Sequence, residues 1–492
     1  MRSPWKALAV AVLVACLLPI CAFGPNAKDP ASAAFPDIIV TAAPVYQPLA
    51  ALRGGERFPK GAQLLLIHDR KPAPLVAGFA ASADANMSFN GKSVLFAGKQ
   101  TAADPWQIWE LSLPDGKLRR LISNSGDAIR PLYLPAGQLV YTQRTPAGFQ
   151  LTVAGKASLD LVAPIDAEVG KTLLPLSYMP ASAIPTDVLL DGRILFESGF
   201  PLGSGSTPEI FLVYSDGSGV ESYRCDHGPA RWAGKQLASG DVIFTHGNSL
   251  ARFTSPLAHE ARIAAPPADY SGSIAETASG DWLVSARPSA AGHFALKLWK
   301  NASSLSPGIA AFETLLAVKG QDVVEPVLVA PRTRPHHHPT GLHDWSYANL
   351  LALDARQSRA GNLKTAPAAV RIETLDAGGH AVETGTAPVE TDGSFFVQVP
   401  ADRPIRFALL DPKGAVVRRE QGWFWIRKGE QRYCVGCHTG PERAPENHVP
   451  AVLERTTTPV DLTGAAAAGT HDKASESPRT VPPPPMSAPG GN

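Results

Sequence analysis

Along the first two thirds of the chain one pattern of polar and apolar positions recurs. A glycine and one or two polar residues lead into a run of β-branched, aromatic or leucine positions. It reads Asn90-Gly91-Lys92-Ser93-Val94-Leu95-Phe96, then Ala136-Gly137-Gln138-Leu139-Val140-Tyr141. It returns as Asp191-Gly192-Arg193-Ile194-Leu195-Phe196, Ser239-Gly240-Asp241-Val242-Ile243-Phe244 and Ser279-Gly280-Asp281-Trp282-Leu283-Val284. The glycines recur at intervals of roughly 40–55 residues, the length of one blade in a radial repeat of short strands and tight turns. Second strands fit the same frame: Ile108–Leu111 precedes the turn Pro114-Asp115-Gly116, and Ile210–Tyr214 precedes Asp216–Gly219. The pattern predicts a β-propeller. Five phrases are visible, and Leu64–Ile67 or Ile38–Ala43 can supply a first or closing blade, which gives about six. The competing reading is a non-repeating array of β-sandwiches.

Near residue 331 the pattern breaks in Pro331-Arg332-Thr333-Arg334-Pro335-His336-His337-His338-Pro339, a linker composition. A second alternating region follows, with strands expected at Ala369–Leu375, Ala387–Pro400, Ile405–Leu410, Val416–Arg419 and Trp423–Arg427. Thr391-Asp392-Gly393-Ser394 reads as a hairpin turn within it. This is a small β-sandwich. After about Leu453 the sequence turns to Ala, Pro, Ser and Thr and cannot build a core.

Composition adds three constraints. Lys plus Arg total 45 against 44 Asp plus Glu, so the chain lacks the basic excess of a nucleic-acid binder. With 46 prolines and 43 glycines, many short strands are favoured over long helices. The N-terminus places Arg2 and Lys6 before an apolar run that ends near Gly24, the pattern of a secretory signal with cleavage after Ala22. A retained anchor, or a lipid on Cys16, is the alternative. No second run of spanning length follows, so the mature chain is expected to have no membrane span and to be periplasmic or secreted.

The expected boundaries are a signal peptide over 1–22, a linker over 23–45, the propeller over 46–330, a linker over 331–348, the sandwich with its cysteine motif over 349–454 and a disordered tail over 455–492.

Of the five cysteines, Cys16 and Cys21 leave with the signal, Cys225 stands alone, and the remaining two form Cys434-Val435-Gly436-Cys437-His438. CxxCH is the attachment sequence for c-type haem: two thiols add to the two vinyl groups of one porphyrin, and the adjacent imidazole reaches the iron. Export supports this, because such haem is joined outside the cytoplasm. A zinc half-site or a redox pair would need further ligands or a βαβ setting, and neither pattern is present. One motif implies one covalent haem c, bound at Cys434 and Cys437 with His438 as proximal ligand. Met87, Met179 and Met486 lie far from the motif in sequence, so a histidine is the better candidate for the second ligand, with His448 ten residues downstream of His438. The histidines 336–338 and His343 are a solvated loop, a distal contact or a metal patch. Trp423, Phe424, Trp425 and Tyr433 are expected to shield a porphyrin or fill the core. The segment Cys225-Asp226-His227 is expected to be a blade loop.

From Pro388 to Leu453 the run PVETDGSFFVQVPADRPIRFALLDPKGAVVRREQGWFWIRKGEQRYCVGCHTGPERAPENHVPAVL resembles the haem-bearing middle domain of the hydrazine synthase alpha subunit. The resemblance covers roughly residues 340–455. It implies a haem domain that follows a propeller, here one of the TolB/WD40 kind. It also implies a tyrosine ligand to iron four residues after the motif histidine, with the histidine free to bind zinc; that position here is Glu442, a carboxylate able to ligate iron or a second metal, though His438 as the ligand is simpler. The family continues into a further domain with a second c-type haem, where this chain runs into its tail. Hydrazine chemistry is therefore not carried over.

The expected function is an exported monohaem c-type cytochrome-like protein that transfers electrons to a redox partner protein or serves a redox complex, with the propeller as the partner platform. The alternatives are a haem enzyme with an open iron position acting on a small nitrogen or oxygen compound, or a haem-based envelope sensor. Whether the chain is itself an enzyme stays open.

Overall fold

The computed structural model describes residues 36–464 apart from 159, 161, 167, 200–206, 225–229, 257, 305–311, 358–362 and 437–448. The expected signal with Cys16 and Cys21, the Cys225–His227 segment, and the tail beyond 464 therefore lie outside the described residues. So do Cys437, His438, Glu442 and His448.

Among the described residues six four-stranded sheets stand as blades. Their innermost strands pack side by side in a ring, in the order Ala81–Met87, Ala128–Tyr133, Ala183–Val188, Arg231–Gln236, Asp269–Glu276 and Asp322–Leu328. We number the blades 1 to 6 by these strands. In blades 1 to 5 the strands run outward in chain order. The turn from the first strand to the second carries Gly91, Gly137, Gly192, Gly240 or Gly280, all with φ between 71° and 91°. That left-handed backbone is why the repeated phrase has glycine at this position.

Blade 6 is built from both ends of the ring. Its inner strand Asp322–Leu328 pairs antiparallel with Ile38–Ala43, from Ile38 opposite Leu328 to Ala43 opposite Asp322. Gln63–His68 and Lys71–Pro74 follow outward. No hairpin joins the first two strands of this blade, so it carries no glycine phrase. All six residues of Ile38–Ala43 are buried. The expected linker over 23–45 thus includes a closing strand, because six consecutive apolar or small residues pair here with a segment almost three hundred residues away.

Each inner strand breaks register with its neighbour near its middle. At these bulges Asp84, Arg130, Ala233, Gly272 and Glu325 have φ of 63°, 56°, 53°, 111° and 58°. A left-handed backbone costs a residue with a side chain about 1–2 kcal/mol. Three of the five are charged, and they meet at the ring's centre.

The second unit of structure is a two-sheet sandwich. One sheet has the order Gln431–Cys434, Ala348–Ala352, Phe395–Val399 and Val460–Asp461; the other has Ala381–Pro388, Ala369–Leu375, Ile405–Leu410 and Val416–Arg419. Val370, Ile372, Phe395, Val397, Leu409 and Ile426 fill the space between them. Three expectations need correction. Thr391–Ser394 does not close a hairpin: the strands on either side of it belong to different sheets. A local turn cannot specify which sheet receives the next strand. Trp423–Arg427 is not a strand; among the described residues it makes one isolated bridge, Phe424 with Ile405. Past the expected end of the domain at 454, Val460–Asp461 adds to the first sheet and Leu462 enters the core.

The 331–347 segment straps the two together. Pro331 packs on Gly91, the His336 N–H donates to Leu190 O at 2.9 Å, and the His338 ring lies 4.1 Å from that of Tyr214. Among the described residues no helix is long and apolar enough to cross a membrane.

Candidate functional site

Cys434 is the last residue of the edge strand Gln431–Cys434, which runs parallel to Ala348–Ala352 with Cys434 opposite Ala352. Strand alternation turns Gln431 and Tyr433 outward and Arg432 and Cys434 inward. The thiol packs against the sandwich core and is in no disulfide. It donates to Gly436 O at 3.3 Å. Burial pushes its pKa up, against weaker opposing effects of that hydrogen bond and of Arg432. Tyr433, beside it, is 67% exposed and does not fill the core.

The start of this strand is clamped to propeller blade 3. Gly219 N–H donates to Glu430 Oε1 at 3.1 Å, and Arg432 donates to Val220 O. Glu430 Oε2 accepts the Arg427 N–H at 2.8 Å. Just upstream, Trp425 is fully buried in the propeller's own core, near Phe196 and Tyr178. The Arg427 guanidinium covers the Tyr178 ring at 5.3 Å. Of the four aromatics singled out in the sequence, Trp425 fills the junction between the domains. Trp423 lies buried under Arg406, and Phe424 packs between the two cores.

Residues 437–448 follow in the chain, and hydrogen bonds tie the described residues on either side of them to one frame. Leu353 N–H donates to Cys434 O at 2.8 Å. The next residue, Asp354, takes the Arg356 Nε at 2.8 Å and Nη2 at 3.0 Å, and Arg356 reaches on to Thr391 O at 2.7 Å. Burial disfavours the Asp354 charge, but the hydrogen bonds from Arg356 and Gln357 outweigh it and hold the carboxyl below its ordinary range. Gly393 must be glycine, because a Cβ there would stand 2.2 Å from Asp354 Oδ1. On the far side of the same turn, Asp392 Oδ2 accepts Ala451 N–H at 2.7 Å and Ser394 Oγ accepts Val452 N–H at 3.1 Å. These bonds seat the first turn of the short helix Ala451–Arg455, and Arg455 adds an ion pair to Glu390 at 2.6 Å. The phrase Glu390-Thr391-Asp392-Gly393-Ser394 is thus the bracket that holds Cys434 on one side and the chain's return on the other.

The linker histidines are not part of this frame. His343 stacks on Trp345 at 4.2 Å and Trp345 on Tyr347 at 5.5 Å, at the opposite end of the cysteine strand. Among the described residues no three His, Cys, Asp or Glu side chains are placed to hold a metal. Met87 and Met179 are buried in propeller cores.

The charged residues of the inner strands were missed in the sequence. Asp84 and Arg130 stand at the same distance ahead of Gly91 and Gly137, but Pro185 and Ala233 hold that place ahead of Gly192 and Gly240, so no repeated charge marks the bulge in the sequence.

Residues 356–439 match the family model of the hydrazine synthase alpha subunit middle domain. The structure of hydrazine synthase from Kuenenia stuttgartiensis superposes with a TM-score of 0.71 at 18% identity, covering 85% of this chain and 71% of that one. TolB from Acinetobacter baumannii aligns with a TM-score of 0.42 at 15% identity, over 59% of this chain and 66% of that one. No curated protein matches the chain. The likeness to hydrazine synthase is one of fold, a propeller followed by a sandwich.

Proposed function

We propose that this chain is an exported protein that carries one covalent haem c on Cys434 and Cys437, with His438 as proximal ligand, and that it works in electron transfer or as a subunit of a redox complex. The observation that carries the reading is the bracket around residues 437–448. A free, half-buried thiol stands at the end of a strand fixed by the core, and the Glu390–Ser394 turn holds both flanks of the segment that bears the other motif residues. The donor set fits: one thiol in place, the second thiol and the imidazole next in the chain, and Glu442 and His448 within the same segment as candidates for a second ligand. A bound haem c supplies one-electron exchange, and the protein sets how readily that occurs through ligands and burial.

The chain's own residues fix where such a group attaches. The Leu353–Cys434 bond and the core packing hold the first thiol, and the contacts of Glu430 and Arg432 with blade 3 keep that point in register with the propeller. Exposed Tyr433 offers a ring at the attachment point. The match over 356–439 and the fold shared with hydrazine synthase support a redox role within a larger assembly, with the propeller as the platform for a partner protein.

The test is production of the exported chain together with the haem-maturation machinery, followed by extraction with acidified organic solvent. Colour that stays with the polypeptide, and is lost in Cys434→Ala and Cys437→Ala, supports the proposal. A colourless protein that is otherwise folded overturns it. Carbon monoxide then separates the two functional classes. An unresponsive reduced spectrum fits electron transfer between two protein ligands, and a shifted one fits an open position.

A further inference from the structure

The ring of inner strands encloses a chamber of about 520 Å³ that the cysteine motif does not use. That volume is in the range of small-molecule sites, roughly 300–1,000 Å³. One end is plugged by Arg57, whose guanidinium donates to Asp84 Oδ1 at 2.7 and 2.8 Å and to Glu325 Oε1 at 2.7 Å. Arg130 reaches the same Glu325 oxygen at 2.9 Å. Two arginines and two carboxylates balance there. The other end lies under the linker, where Pro331, Arg332 and Pro335 cross the mouth.

Between plug and strap the hydrogen-bonding groups do not balance. Asp187 Oδ1 accepts Val188 N–H and Oδ2 accepts Gln236 N–H, both at 2.9 Å, and its charge lies near Lys235 and Arg332. Glu276 Oε2 accepts Ala238 N–H at 2.7 Å. The two cations nearby hydrogen-bond to no carboxylate among the described residues. Arg332 donates only to the neutral oxygens of Met87 and Asn86, at 3.0 and 3.3 Å, and rests on the Phe89 ring. Lys235 lines the chamber and makes no hydrogen bond or ion pair with any described residue. Removal from water lowers its pKa; the charges of Asp187 and Glu276 oppose that, and those of Arg332 and Arg130 add to it. The Lys235 side chain is only partly buried, and its ammonium faces the chamber with no hydrogen-bond acceptor among the described residues, so it can take one from a ligand there. Leu132, Val188, Leu237 and Val327 give the same chamber an apolar wall.

We infer that the propeller chamber binds a small organic monocarboxylate with an apolar body, its carboxylate taken by Lys235 and Arg332 and its body by that wall. A single negative charge suits the site because Asp187 and Glu276 stand close enough to repel a second.

The test is calorimetric titration of the full chain at fixed chloride with hexanoate, benzoate, acetate and inorganic phosphate. Hexanoate or benzoate is expected to bind one to one, with acetate and phosphate weaker. Lys235→Met should weaken binding by about tenfold or more, the loss of one charge-assisted hydrogen bond. Lys428→Met, at an exposed position on the sandwich, should leave it unchanged. Free of ligand, Lys235→Met should melt close to the parent, since it keeps the side chain's length and breaks no side-chain hydrogen bond to a described residue. The inference is overturned if no carboxylate binds at millimolar concentration, if phosphate binds best, or if Lys235→Met binds as tightly as the parent.

Discussion

The indole N–H of Trp425 donates to the carbonyl oxygen of Gly217 at 2.9 Å. One residue belongs to the crossing segment of the sandwich and the other to a turn of blade 3, so the two domains share a buried hydrogen bond inside a shared core. Gly217 has φ of 85°, and a Cβ there would stand 2.8 Å from Arg427 Cδ. The close approach that lets the indole reach the carbonyl therefore depends on the glycine as well as on the tryptophan.

Trp425→Ala should cost about 3–5 kcal/mol, the range for emptying a large aromatic site. The loss falls at the junction, so calorimetry should show separate melting of propeller and sandwich where the parent shows one transition. A single transition shifted by less than a degree would mean that the junction is held by other contacts.

Gly393→Ala puts a methyl group against Asp354 and Arg356 on a backbone with φ of 86°. The backbone alone costs about 1–2 kcal/mol, and the displaced fork loosens the bracket around 437–448. Limited proteolysis should then cut that segment faster than in the parent while the propeller stays resistant. Equal cutting rates would remove the bracketing role.

Glu325→Gln breaks a buried network and leaves Arg57 and Arg130 short of one charge. Burial alone lowers the Arg57 pKa, and Asp84 and Glu325 more than restore it. Removing one partner of such a buried pair costs about 3–5 kcal/mol. Chemical denaturation should show the midpoint falling accordingly, and the change should be nearly independent of salt, because a buried pair is poorly screened.

Glu197 is buried, and its carboxyl pKa is raised, chiefly by removal from water; Arg130 and the Ala233 N–H, at 2.7 Å, oppose that rise. The folded chain therefore holds this proton to higher pH than the unfolded chain. The resulting stability is complete below the unfolded value, about 4.3, and is lost as pH rises through the raised folded value. Glu197→Gln keeps the acceptor and removes the charge. Its denaturation midpoint should match the parent near pH 4 and exceed it increasingly as pH rises towards neutrality. A constant difference across that interval would rule out the buried charge as the cause.

The blades were legible because a left-handed turn needs glycine and the next strand needs apolar residues on both faces, and both demands are local. The sixth blade was not legible in the same way, since Ile38–Ala43 and Asp322–Leu328 meet only when the ring closes. The strands Ala369–Leu375, Ile405–Leu410 and Val416–Arg419 were read with the bounds they have. The role of Trp423–Arg427 was not, because an alternating aromatic run looks the same whether it pairs with a neighbour or crosses to another domain. The cysteine motif stands out in the sequence through its spacing alone. Its bracket did not, because Asp354, Gly393 and Ala451 are joined by approach in space.

By itself the sequence determined the repeat, the order of propeller and sandwich and the spacing of the cysteine motif, since periodicity and spacing are properties of neighbouring residues. Only the tertiary structure decided that Trp425 belongs to the propeller's core, that a turn phrase steadies both flanks of residues 437–448, and that the Lys235 ammonium faces a chamber with no hydrogen-bond acceptor among the described residues. Those facts depend on which distant groups share a volume from which water is excluded, and there a hydrogen bond made or missing counts most.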